Sequence, residues 1–138
     1  MTCSRTLTIS GDIHEIPQIS AALEETMRAC GFSDDAILDM QLAVEEAVAN
    51  TILHGYRGAV GEVTIAIHAT LQSVQIRIED HAPPFDPLSL PEPDRGSDLA
   101  ERRIGGLGIY LMRQVADEVV YEYTGSKNVL TLVKRKAA

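Results

Sequence analysis

The chain has 138 residues, 45% hydrophobic and 23% charged, the size and make-up of one soluble domain with a single core. Its formal net charge of -8 argues against non-specific binding to nucleic acid or anionic membrane and leaves room for a basic protein partner. Only 4% of residues are aromatic, none is Trp, and Cys3 and Cys30 lack a C-x-x-C spacing; a base-stacking surface, a disulfide scaffold and a zinc site are all disfavoured.

In chain order, residues 5–10 alternate and predict a short strand with Leu7 and Ile9 on one face. Gly11-Asp12 breaks it. Pro17 suits the first turn of a helix whose stripe is Ile16, Ile19, Leu23 and Met27, stopping at Gly31. A second, longer helix starts at Ser33 as N-cap, carries Asp34 and Asp35 in its first turn, and is expected to run to Gly55. Ile37, Met40, Val44, Ala47, Val48 and Thr51 form one stripe, and Leu38, Ala49 and Ile52 extend the apolar surface. Such a helix is expected to be buried on more than one face. Glu46 and Asn50 lie one turn apart within that surface, flanked by Leu42 and Leu53. Buried there, they would be costly unless something polar meets them. They are either a structural pair capping a loop, with Glu45 as the exposed member, or the face that meets a metal or a polar ligand.

A glycine-punctuated loop over 55–61 leads to a strand over 62–70, with Val63, Ile65, Ile67 and Ala69 on one side. A tight turn precedes the next strand, 74–80. The two predict an antiparallel hairpin with one face on the core. Val74, Ile76 and Ile78 face inward, so Asp80 shares their orientation and needs a partner. Residues 81–105 are irregular, and Pro83, Pro84, Pro87, Pro91 and Pro93 exclude a long helix in their first half. Loops this long in compact domains are usually functional lids or disordered. Gly105-Gly106-Leu107-Gly108 then opens a helix packing through Leu111, Met112 and Val115, and residues 117–134 form a last strand pair turning at 124–127. No leader-like or membrane-spanning apolar run is present, so a cytoplasmic protein with reduced thiols is expected.

Glycines let backbone N–H groups approach phosphate oxygens, and the helix that follows presents its positive end. The segment at Gly106 is neither a P-loop nor a dinucleotide fingerprint, since no Gly-Lys-Ser/Thr follows and no strand leads straight into it. Arg102 and Arg103 precede it and suit phosphate or an acidic partner, with a plain exposed basic pair as the alternative. The four histidines form no metal-ligand cluster.

Three elements thus stand in fixed order: Glu46-x-x-x-Asn50 on a helix, Asp80 at a strand end, and Gly106-Leu107-Gly108-Ile109-Tyr110-Leu111 opening a helix. This order resembles the Bergerat ATP-binding fold of gyrase, histidine kinases and the anti-sigma-factor serine/threonine kinases. The short chain, His54-Gly55-Tyr56 after Asn50, and Pro83-Pro84-Phe85-Asp86-Pro87 after Asp80 are most similar to the last of these. The resemblance covers nearly the whole chain. It implies one histidine-kinase-like ATPase domain over 1–138: an α/β two-layer sandwich with a mixed, mostly antiparallel sheet, three helices on one face, and an ATP lid at about 86–105. It further implies Asn50 as the Mg²⁺ ligand, Glu46 as the general base, Asp80 as acceptor for the adenine amino group, and Gly106, Leu107, Gly108 and Arg103 at the nucleotide. One departure stands out. The family reads Asp-x-Gly where this chain has Asp80-His81-Ala82, which puts nucleotide affinity in question.

The function this resemblance implies is ATP-dependent phosphorylation of an anti-anti-sigma (STAS-type) protein, coupled to sequestration of a sigma factor, by a protein that forms homodimers and binds neither nucleic acid nor membrane. The alternatives are a nucleotide-dependent binding module without catalysis, the detached ATPase domain of a histidine kinase, and a partner-switching kinase whose output is not transcriptional.

Overall fold

The computed structural model describes residues 1–56, 61–84 and 112–136. The predicted lid, the Gly106-Leu107-Gly108 segment and Arg103 lie outside them.

Five strands make one sheet: β1 (Thr2–Ile9), β2 (Val63–Thr70), β3 (Ser73–Asp80), β4 (Glu118–Thr124) and β5 (Lys127–Arg135), in the order β1-β2-β3-β5-β4. All four described pairings are antiparallel. Because β5 lies between β3 and β4 and is antiparallel to both, those two run the same way. The chain therefore has to cross back over the sheet between them, and residues 112–115 at the end of that crossing are helical. The β4–β5 hairpin closes through Gly125 and Ser126 at φ 59 and 66, the paired left-handed residues of a turn whose twist matches the strands.

Two helices, α1 (Ile16–Ala29) and α2 (Asp34–Asn50), form the second layer. A 3₁₀ turn, Ile13–Glu15, precedes α1 and is capped by Asp12, whose side chain accepts from the His14 N–H. Ser33 caps α2, accepting from the N–H of Ala36. The strands alternate as expected. β2 buries Val63, Ile65, Ile67 and Ala69, and β3 buries Val74, Ile76, Ile78 and Asp80. These close on Leu23, Met27, Met40 and Val44 of the helices, with Met112 fully buried beside them. β1 begins earlier than predicted, because its polar first half is paired residue for residue with β2.

One expectation fails on α2. Its buried residues are Ile37, Met40, Ala43, Val44, Ala47 and Val48, a single stripe. Leu38 and Leu42 are 53% and 41% exposed. Among the described residues, α2 lies on the sheet and α1, and Leu38 and Leu42 face away from both. Among the described residues, no helix is long and apolar enough to cross a membrane.

Candidate functional site

Where α2 ends, the backbone does not stop but widens into a π-helical turn, Thr51–Gly55. Short π segments are rare and frequently occur at functional sites. The turn brings Asn50, Thr51 and Gly55 over the ends of β3 and β5. Together with Ala47, Ile78, Asp80, Tyr121, Asn128 and Leu130 they line a narrow cleft, part of it open to solvent. The walls are apolar and the polar groups few, the usual make-up of a small-molecule site.

Asp80 is the inward acid that strand parity predicted, and only 6% of it is exposed. Its Oδ1 accepts from the Ala82 N–H at 2.9 Å and from Asn128 Nδ2 at 2.8 Å. Its Oδ2 accepts from no described residue. A buried carboxylate oxygen without a donor is expensive, so a ligand bearing an N–H group fits there. Asn128 is itself 5% exposed. It donates also to the Ala82 and Pro83 carbonyls at 3.0 and 3.3 Å, and accepts from the Tyr121 hydroxyl. Residue 128 is paired with residue 80 across β3 and β5, and with Tyr123 on β4. Asn128 and Tyr121 therefore hold Asp80 in a fixed pose. Asn128 lies on the inner face with Leu130 and Leu132, and only the β3–β5 register identifies its partner, so the sequence reading did not single it out.

Ala82, the departure from Asp-x-Gly, is 2% exposed. It adopts no left-handed backbone, since Ser126 is the only non-glycine residue at positive φ among the described residues. Its methyl group lies opposite Gly55, where an added Cβ would stand 3.4 Å away.

The structure brings Asn50 and Asp80 into one cleft. Asn50 is half-buried, and its side chain makes no hydrogen bond among the described residues; a neutral amide oxygen suits Mg²⁺, which takes few protein ligands. No group of three or more His, Cys, Asp or Glu residues that could hold a metal occurs among the described residues. Glu46 and Glu45 reverse their expected exposure. Glu45 is half-buried and accepts from the Ser20 hydroxyl of α1, whereas Glu46 is exposed. Leu42 and Leu53, expected to bury Glu46, are 41% and 56% exposed. The reason is rotation: α2 seats Ala43, Ala47 and Val44 on the core, which turns Glu45 toward α1 and Glu46 toward solvent. Glu46 does not line the cleft but stands one turn from Asn50 at its edge, an accessible carboxylate.

The sequence showed Tyr56 only as part of His54-Gly55-Tyr56, not its role as a clamp. Its hydroxyl donates to the Glu62 carbonyl at 2.7 Å and accepts from the His81 N–H at 2.9 Å, tying the π-helical turn to the start of β2 and the end of β3. Burial pushes its phenol pKa up, opposed by the His81 N–H and reinforced by the charges of Asp80 and Glu62.

The sequence matches the histidine kinase-like ATPase domain family over residues 9–134. It is 32% identical over 105 residues to the serine-protein kinase RsbW of Listeria innocua serovar 6a, covering 72% of this chain and 67% of that protein. A Bacillus cereus (strain G9842) RsbW is 31% identical over 104 residues, covering 72% and 65%. The crystal structure of the RsbU and RsbW domains of a Mycobacterium tuberculosis protein superposes with a TM-score of 0.65 at 19% identity, over 97% of this chain. This chain spans 34% of that polypeptide. That likeness is one of fold.

Proposed function

Since the chain belongs to the histidine kinase-like ATPase domain family and, within it, to the RsbW-type serine/threonine protein kinases, we propose that it transfers the γ-phosphoryl group of ATP to a serine or threonine of a STAS-type anti-anti-sigma protein. The observation that carries this is the buried Asp80, whose Oδ2 accepts from no described residue at the back of an apolar cleft that also contains Asn50. Asp80 accepts from the adenine amino group, while Ile78 and Leu130 flank the ring. Mg²⁺, held by Asn50, would supply the charge neutralisation that phosphoryl transfer needs. Glu46 takes the proton of the substrate hydroxyl as it attacks. Its exposure suits that role, because the serine arrives on a second protein. Gly106, Leu107 and Gly108 offer backbone N–H groups to the phosphates, Arg103 adds positive charge, and the 86–105 segment closes over them. The kinase holds a sigma factor as its other partner and releases it when unphosphorylated antagonist binds.

The test uses ATP labelled at the γ position, Mg²⁺ and the purified antagonist. Acid-stable label should appear on the antagonist. Glu46→Gln should still bind ATP but slow transfer by about 10²- to 10⁴-fold, and Asn50→Ala should lose Mg²⁺-dependent nucleotide binding. A complex that forms without label transfer would make this a binding module instead; full transfer by Glu46→Gln would remove Glu46 as the base.

A further inference from the structure

At the end of the molecule remote from Asn50 in sequence and register, the two cysteines meet. Cys3 lies on the edge strand β1, opposite Ala69 of β2. Cys30 is the C-cap of α1 and is fully buried, and its Sγ donates to the carbonyl of the same Ala69 at 3.5 Å. Cys3 is half-buried and packs against the core cluster that contains Cys30. Both are free thiols. The Cys3 thiol pKa is raised, first by a hydrogen bond with the Cys30 thiol, then by desolvation and by repulsion from Cys30. Two thiols separated by most of the first three elements thus lie beside one residue, Ala69, at the join between sheet and helix layer. One is reachable from solvent and the other is sealed.

We propose that Cys3 and Cys30 form an oxidative modification site, at which a low-molecular-weight disulfide closes a bond between β1 and α1. The roles follow from exposure. Cys3 loses its proton to solvent and attacks one sulfur of the external disulfide, releasing one thiolate and leaving a mixed disulfide on Cys3. Cys30, placed beside the same Ala69, loses its proton and attacks the Cys3 sulfur; the Cys3–Cys30 bond forms and the second thiolate departs. The two protein thiols are oxidised, the external disulfide is reduced to two thiols, and the two protons end on those thiols. The product staples the outer edge of the sheet to the helix layer, shortening the unfolded chain's freedom over 3–30. None of the residues proposed to handle nucleotide takes part.

The experiment treats the whole protein with excess glutathione disulfide and follows free thiols, intact mass and melting temperature. The expected product has no free thiol, is two hydrogens lighter than the reduced protein, carries no glutathione, and melts higher; digestion without reductant yields a peptide pair joined at 3 and 30. Cys30→Ser should instead accumulate a stable glutathione adduct on Cys3, and Cys3→Ser should remain unmodified because Cys30 is buried. A wild-type protein that keeps its glutathione adduct, links to a second copy through Cys3, or retains both thiols would overturn the proposal.

Discussion

Asp80 gives one oxygen to the protein and, in the proposed function, the other to the adenine amino group. Oδ1 is held by the Ala82 N–H and by Asn128, so the carboxylate cannot swing, and Oδ2 remains to accept. An acceptor fixed in this way distinguishes an amino group from a carbonyl at the same ring position, because a carbonyl would leave two acceptors facing each other. Asn128→Ala removes the Nδ2 donor and leaves the Ala82 and Pro83 carbonyls without it. ATP should then bind about 10-fold more weakly, with little change in the transfer rate at saturating nucleotide; binding and single-turnover measurements separate the two. Tyr56 is a second clamp. Losing its hydroxyl in Tyr56→Phe should cost about 1 kcal/mol at neutral pH, measured by urea unfolding. Its pKa is raised in the folded state, so the folded protein holds the phenolic proton more tightly than the unfolded one. That stabilisation is complete below the ordinary tyrosine value of 10.0 and is lost as pH rises through the folded value. The stability gap between wild type and Tyr56→Phe should therefore shrink above that pH.

At the scale of elements, the site rests on the joint between α2, its π-helical turn and the strands. Gly61 is a tight point in that joint: a Cβ there would stand 2.1 Å from the Tyr56 ring. Gly61→Ala must displace Tyr56 from both hydrogen bonds, and should lower stability by about 1–3 kcal/mol and weaken nucleotide binding with it; thermal melts with and without ATP report both. Much of this architecture was legible. Ser33 as N-cap, the alternation of β2 and β3, and the inward parity of Asp80 follow from short-range periodicity. What escaped depends on long-range placement. Nothing in the spacing of α2 says which of two adjacent glutamates turns toward α1, because that is decided by how Ala43 and Ala47 seat on the sheet. The link from Asn128 to Asp80 requires knowing that β5, not β4, lies beside β3. The π turn at Thr51–Gly55 has no periodicity signal in so few residues.

In the molecule as a whole, Asn50, Asp80 and Asn128 come from three separate parts of the chain and meet only when the sheet is complete. The crossing between β3 and β4 leaves β5 in the middle, which places the Asp80 and Asn128 pair at a strand end beside the open end of α2. The site proposed to hold nucleotide is thus a product of topology, and recognition of adenine there is the proposed step on which kinase activity and partner exchange would both depend. Calorimetric titration of the intact protein with ATP and with GTP, each with Mg²⁺, in the wild type and in Asp80→Asn, tests that step directly. The wild type should bind ATP at least about 10-fold more tightly than GTP, and Asp80→Asn should lose most of that preference. Equal binding of ATP and GTP by the wild type, or ATP binding untouched by Asp80→Asn, would contradict it.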